Sequence, residues 1–396
     1  MKNIIILIGI LIYATLSAQD PTVELKKTLN TYQMSSMIKT KDGNFMFTGY
    51  SKDLYLKDSL TGVIFMPCKA VYITKLDKEG DLLWTKFLSD GKSEQSGQFI
   101  AEGDSGFLIL INGSQLIKVD YFGNKIWEKN VGEVSKLISS DDGGYIVSGS
   151  FEGGKVWLYK LSDAGEIQWK ISQDQYKIKN ITNLIRTIDN QFILLDNRKD
   201  DKGNNKFYLV KFKDGGSITW EKELSPEIFS KSRYNQILIQ DKFGNYIIAS
   251  DETYETSSDY RITKWDEQGN LVFSKIYGLM KGDYYSKSIK LYEIVNTLIE
   301  AENGGYIIGG KFFKIGTRGL SYGYLFRIDD QGRFLWSTQL DIDKFTSLDI
   351  LKPIEKNKFL IGINNNHSKS QENISILTIT DNFDAKYDPM LCPLVE

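Results

Sequence analysis

One pattern recurs along almost the whole 396-residue chain, and it restricts the fold more than any other feature. Its clearest copy runs from Asp141 to Trp169: DDGGYIVSGS, a short connection, then VWLYKLSDAGEIQW. That string reads as a tight turn, two strands, a second tight turn and a strand carrying Trp. An aromatic after the first turn marks seven copies: Phe45, Phe107, Tyr145, Phe192, Tyr246, Tyr306 and Phe359. Seven or eight residues before six of them stands an apolar pair: Met37-Ile38, Phe99-Ile100, Leu137-Ile138, Leu184-Ile185, Leu238-Ile239 and Leu298-Ile299. In the last copy the pair is Ile350-Leu351, one residue earlier. These pairs define a further strand at the start of each copy.

The closing hairpin repeats more tightly. A basic residue and an aromatic stand nine apart at Lys75 and Trp84, Lys118 and Trp127, Lys160 and Trp169, Lys211 and Trp220, Lys264 and Phe273, and Arg327 and Trp336. Between them runs a turn such as LDKEGDLLW or IDDQGRFLW, where Gly supplies positive φ and Asp or Ser can bond the turn backbone. Each repeat is therefore four short antiparallel strands in about 50 residues. The expected fold is all-β: a seven-bladed β-propeller of four-stranded antiparallel blades, with the recurrent Trp packed between blades. The recurring Lys or Arg reads as a solvated strand residue.

The segment TVELKKTL (residues 22–29) matches the fourth-strand pattern, while the end of the last copy is weak, with Tyr387 in the Trp position and Pro389 and Pro393 following. The ring is thus expected to be closed by the N-terminal strand. The domain reading is a leader at 1–18 and one propeller at 19–396, comprising a closing strand 22–29, repeats 30–379 and a tail 380–396. The leader reading rests on Lys2, the apolar run Ile4 to Tyr13, and the small pair Ser17-Ala18. It implies an exported protein, periplasmic or extracellular, without a lipid anchor and with no membrane span once the leader is cleaved.

Export makes the two cysteines, Cys68 and Cys392, candidates for a disulfide as well as for two free thiols. A formal charge of −2 implies no polyanion-binding surface, so nucleic acid is not an expected partner. The single His, His367, excludes multi-histidine metal sites and argues against a Ser-His-Asp triad. No CxxC, HExxH, GxSxG or Walker-type loop is present. No catalytic residue, cofactor or metal ligand is therefore assigned; DKGNN and DQG stretches suggest calcium only without the spacing of a known calcium loop.

Connections after the second strand and between repeats vary in length and emerge on one face: 51–69, 197–206, 251–259, 278–295 and 311–323. Function on a rigid scaffold tends to reside in such loops. They and their neighbours carry Tyr234, Tyr254, Tyr284, Tyr285, Phe312, Phe313 and Tyr322, near Arg233, Asp251, Asp283 and Arg318. This set is the candidate ligand site, suited to a glycan or a peptide; the plainer reading, that the same rings pack their own loops down, stands ahead of it.

The hairpin D-x-x-G-x-x-x-W, as in LDKEGDLLWTK and IDDQGRFLWST, resembles the tryptophan-containing repeats of PQQ-type propellers. That resemblance implies a propeller and admits both quinoprotein dehydrogenases and non-enzymatic outer-membrane assembly propellers. The adjacent cysteine pair of several quinoproteins is missing, and no cofactor motif maps onto these positions. The longer pattern DGGYIVSGS…LYKLSDAGEIQW is similar to repeats of exported bacterial propeller proteins. Sialidase Asp-boxes differ, placing Trp one residue closer to Gly than KDGGSITW does. The leading expectation is a monomeric, non-enzymatic exported binding module for a glycan or an envelope or extracellular protein. A propeller enzyme and a structural envelope scaffold stand as alternatives.

Overall fold

The computed structural model describes residues 21–30, 32–54, 68–88, 94–151, 153–154, 156–172, 176–224, 235–253, 258–278, 291–314, 321–340, 346–367 and 371–381. All regular structure in them is β. Strand β1 (Thr22–Asn30) comes first, followed by a sheet of β2 (Tyr32–Lys39), β3 (Phe45–Leu54), β4 (Cys68–Leu76) and β5 (Leu82–Phe87). The next sheet holds β6 (Gly97–Glu102), β7 (Phe107–Ile111), β8 (Gln115–Val119) and β9 (Lys125–Asn130). Then come β10 (Glu133–Ser139), β11 (Tyr145–Phe151), β12 (Val156–Leu161) and β13 (Ile167–Ser172). A fourth sheet follows with β14 (Ile181–Arg186), β15 (Phe192–Lys199), β16 (Asn205–Phe212) and β17 (Ile218–Glu223).

The chain continues through β18 (Gln236–Gln240), β19 (Tyr246–Thr253), β20 (Ser258–Trp265) and β21 (Leu271–Tyr277). It goes on with β22 (Leu291–Glu300), β23 (Tyr306–Lys314), β24 (Ser321–Ile328) and β25 (Phe334–Leu340). The last three strands are β26 (Thr346–Glu355), β27 (Lys358–His367) and β28 (Gln371–Thr380).

The β-propeller architecture holds, but the expected seven equivalent blades closed by an N-terminal strand are corrected on both points. Five sheets stand as separate four-stranded blades, not seven. Strands β18 to β25 instead form one eight-stranded sheet, because β20 meets β22 through a parallel bridge at Ser258 and Tyr292. A sequence period counts repeats, whereas a sheet is bounded by where hydrogen bonds stop, and here they continue. Nor is β1 a clasp added to a finished ring. It is the outer strand of an ordinary blade, β1-β28-β27-β26, antiparallel to β28 from Thr22–Thr380 to Asn30–Asn373. That blade meets the β2–β5 blade through side chains: the Asn364 amide bonds both Met34 N and Met34 O at 2.8 Å, and Lys39 Nζ donates to Ile354 O at 3.0 Å. The first strand of each meander (β2, β6, β10, β14, β18, β22, β26) contacts the next, and β26 contacts β2.

The cores lie between sheets. On β3, Phe45 and Phe47 pack with Leu360 and Ile376 of the last sheet, while Met46 packs with Phe107 and Ile109 of the following one. On β11, Tyr145 and Val147 face the preceding sheet while Ile146 faces the following one. Second strands are therefore buried on both faces, which is why they read as unbroken apolar runs.

The hairpin turns share one geometry. Asp120 N donates to Asn124 O and Gly123 N to Asp120 O, with Gly123 at φ +79. The Asp120 carboxylate accepts the N–H groups of Phe122 and Asn124 at 2.9 and 2.8 Å. Asp77, Asp200, Asp241, Asp266 and Asp329 repeat the arrangement, and Asn190 takes the left-handed position where Gly is missing.

Candidate functional site

The nine-residue spacing of Lys and Trp is a cross-strand pair: Lys75–Trp84, Lys118–Trp127, Lys160–Trp169, Lys211–Trp220, Lys264–Phe273 and Arg327–Trp336 stand opposite each other. The cations are not solvated, which corrects the reading from sequence. Lys118 and Arg327 have fully buried side chains, and the other four are nearly so. An ammonium there needs a carboxylate.

Each cation has one. Lys75 pairs with Asp42 (2.7 Å), Lys211 with Asp189 (2.8 Å) and Lys264 with Asp241 (3.4 Å), all in the first turn of the same meander. Lys118 and Arg327 reach forward into the next sheet, to Asp163 and Asp381. Lys160 does both, bonding Asp142 at 2.8 Å and Asp214 at 3.1 Å. Trp169 Nε1 and Trp336 Nε1 donate to the same forward carboxylates, Asp214 and Asp381.

Tyrosines complete two clasps. Lys118 Nζ also donates to Tyr145 Oη, whose hydroxyl donates to Asp163 at 3.0 Å; Tyr306 donates to Asp241 at 2.8 Å. Burial pushes the Lys118 ammonium below its usual range, against the pull of Asp163, and pushes the Tyr145 and Tyr306 hydroxyls far up. Tyr145 and Tyr306 are thus hydrogen-bonding struts and not acids at physiological pH.

A second girdle surrounds the hairpin-turn end of the first strands. Glu102 accepts Lys41 N (2.7 Å), Gln240 accepts Ile188 N (2.8 Å) and Glu300 accepts Lys242 N (2.9 Å); Arg186 pairs with Asp141. In each case the last residue of a first strand holds the turn of the preceding meander. Lys39 does the same to Ile354 O.

Against part of this girdle lies an open hollow of about 390 Å³. Turns from several meanders line it: Lys39 of β2, Lys242, then Glu300, Ala301 and Glu302, then Pro353 to Asn357, with Phe359. Ala301 and Phe359 are buried and form an apolar floor, while the rim alternates cations and carboxylates. Burial raises the Glu300 carboxyl, although the Lys242 backbone bond opposes it. Next to Lys242 in the same turn, Phe243 is 65% exposed, and Ile188 in the turn of the preceding meander is 64% exposed. Hydrophobic spacing did not single out this face because its lining comes from turns far apart in sequence.

The aromatic set expected on the long-loop face is placed in part. Tyr234, Tyr254, Tyr284, Tyr285 and Cys392 lie outside the described residues. Cys68 opens β4, opposite Leu54 of β3. Phe312 is 4% exposed in the core of the eight-stranded sheet, stacked on Tyr322 with centroids 5.2 Å apart. Phe313 stacks on Tyr292 across β22 and β23 at 5.5 Å. These rings pack each other as cross-strand pairs. One expected loop is a hairpin: Asn197, Arg198 and Lys199 pair with Phe207, Lys206 and Asn205. Arg198 braces it, bonding Asp196 at 2.5 Å and Glu221 at 2.8 and 2.9 Å while lying over the Tyr208 ring. Among the described residues no group of three His, Cys, Asp or Glu side chains is arranged to hold a metal ion.

No protein-family model and no curated protein matches this sequence. Solved structures do resemble it. Sqt1 from Chaetomium thermophilum is 8% identical, with a TM-score of 0.50 over 90% of this chain and 99% of that one. BamB from Moraxella catarrhalis is 11% identical, with a TM-score of 0.47 over 89% and 97%. BBS1N, solved in complex with ARL6DN, is 9% identical, with a TM-score of 0.47 over 90% and 96%. At such identities the likeness to Sqt1 bears on the fold and nothing else.

Proposed function

We propose that this protein is an exported β-propeller that works as a protein-interaction module, gripping a polypeptide at its hairpin-turn face. The observation that carries this reading is the open hollow lined by Lys39, Lys242, Glu300 and the Pro353–Asn357 turn, with Phe243 exposed next to Lys242. Its apolar floor and rim of both charge signs suit a peptide, which brings apolar anchors, backbone donors and acceptors, and charges of either sign. The pattern at Lys2, Ile4 to Tyr13 and Ser17-Ala18 supports export.

The test is a selection of displayed peptides on the full chain, repeated on two variants. Phe243→Asp with Lys356→Glu alters the turn face at exposed side chains; Tyr284→Ala with Tyr285→Ala alters the aromatic pair expected from sequence on the long-loop face. Peptides bound by the parent should lose affinity at least tenfold, about 1.4 kcal/mol, in the turn-face variant and keep it in the other. The reverse outcome moves the site to the long-loop face. Failure to select any peptide sinks the interaction reading itself.

A further inference from the structure

The first strands surround the axis of the ring, since each contacts the next and β26 contacts β2. Six of them carry a one-residue register shift, which sets Ser35, Gln98, Ser135, Thr182, Asn296 and Asp349 out of the ladder. All six are polar, and Ser35, Gln98 and Ser135 are exposed. Asp349 is the one carboxylate of this collar, and its oxygens already accept Ser347 Oγ, Asn296 Nδ2 and Asn364 Nδ2 at 2.6, 2.9 and 2.6 Å.

Two lysines depart from the pattern of these strands. Lys136 of β10 stands opposite Ser148, three residues past the marker aromatic, where the other meanders hold Ser36, Phe99, Asn183, Ile237, Thr297 and Ile350. Lys352 of β26 stands opposite Leu360, one residue past the aromatic, where the others hold Ile or Ala. Every cross-strand cation of the closing hairpins has a carboxylate. Among the described residues, neither of these two ammoniums has an ion pair or a hydrogen bond; Lys136 Nζ lies 5.3 Å from the centroid of the Phe99 ring. Both side chains are half-buried, and burial pushes both ammoniums below their ordinary range with no carboxylate opposing it. Each therefore lacks the counter-charge that its desolvation calls for.

The two lysines bound one arc of the inner wall, which runs from β26 through β2 and β6 to β10. Ser35 and Gln98 lie on the strands between them, and Ser135 precedes Lys136. Their registers differ by two residues, about 7 Å along a strand. We propose that the axial channel of the propeller binds an oxyanion, a carboxylate or a phosphate, with Lys136 and Lys352 as its counter-charges and Ser35, Gln98 and Ser135 as hydrogen-bond donors. The rest of the collar offers no comparable arc, because Asp349 and Asn296 are engaged with each other. The site is separate from the turn-face hollow, so neither reading depends on the other.

The experiment measures the melting temperature of the full chain against citrate and against inorganic phosphate, with ionic strength held constant by chloride. The parent is compared with Lys136→Met and Lys352→Met, which keep the length of the side chain and remove its charge. The parent should melt higher as the anion is raised, and each variant should need at least tenfold more anion for the same shift. A response to citrate alone assigns a carboxylate ligand, and a response to phosphate alone assigns a phosphate. Without anion, both variants should melt no lower than the parent, because each loses a cation that has no partner in the fold. The proposal is overturned by a response no larger than that to chloride, by unchanged affinity in either variant, or by lower melting of either variant without anion.

Discussion

Lys118 shows what a single side chain contributes to this fold. Its ammonium is fully buried and held by Asp163 of the next sheet, 45 residues further on, and by Tyr145. Nothing in the local string GSQLIKVDYFG separates such a lysine from a solvated one, because its partner arrives only with the neighbouring sheet. Removing one member of a buried pair strands the other, whereas replacing both with neutral groups costs far less. Asp163→Ala should therefore lower stability by about 3 kcal/mol or more, and adding Lys118→Met should restore much of it. Unfolding curves of the two single variants and the double variant measure this; additive losses would show that the clasp is no unit.

At the scale of elements, the hairpins were legible and the loops were not. D-x-x-G states a turn whose Asp caps two N–H groups and whose Gly takes positive φ, and the structure repeats it from Asp77 to Asp329. The same Gly has a second role invisible in its own repeat. Trp127 lies against Gly165 of the next sheet, where an added Cβ would sit 2.9 Å from the ring; Gly43, with the same φ of +82, has nothing within 4 Å. Gly43→Ala should cost about 1 kcal/mol, the left-handed strain by itself. Gly165→Ala should cost a further 1–3 kcal/mol, roughly, from overlap with the indole. Equal melting temperatures in the two variants would refute the packing argument. By contrast, the connection 197–206 looked long only because its polar strand ends, Asn197 to Lys199, do not alternate like core strands, although they pair fully with Asn205 to Phe207.

At the scale of the molecule, the Asn364 amide helps to fasten the last blade to the first, beside the Lys39 bond to Ile354 and the apolar cluster they share. Met34 N and O, at a register shift of β2, are held by Asn364, and among the described residues no sheet ladder crosses that junction. Asn364→Ala leaves both groups of a residue 3% exposed without that partner. The expected loss is roughly 2–4 kcal/mol, together with faster amide exchange at Met34 than in β10–β13, which lies away from the junction. Uniform exchange across all sheets would instead mean that the junction is no weaker than the rest. The turn-face hollow belongs to this scale too, since residues from Lys39 to Phe359 meet only when the meanders are arranged around an axis.

The sequence by itself determined the strand meander, the turn chemistry and the propeller architecture, because these depend on residues within one period: apolar strand runs, an Asp cap and a Gly at positive φ. The eight-stranded sheet, the partners of Lys118 and Arg327 and the turn-face hollow were decided only in three dimensions. Each depends on contacts between neighbouring repeats, and a repeat's own string does not record which neighbour's carboxylate, glycine or edge it will meet.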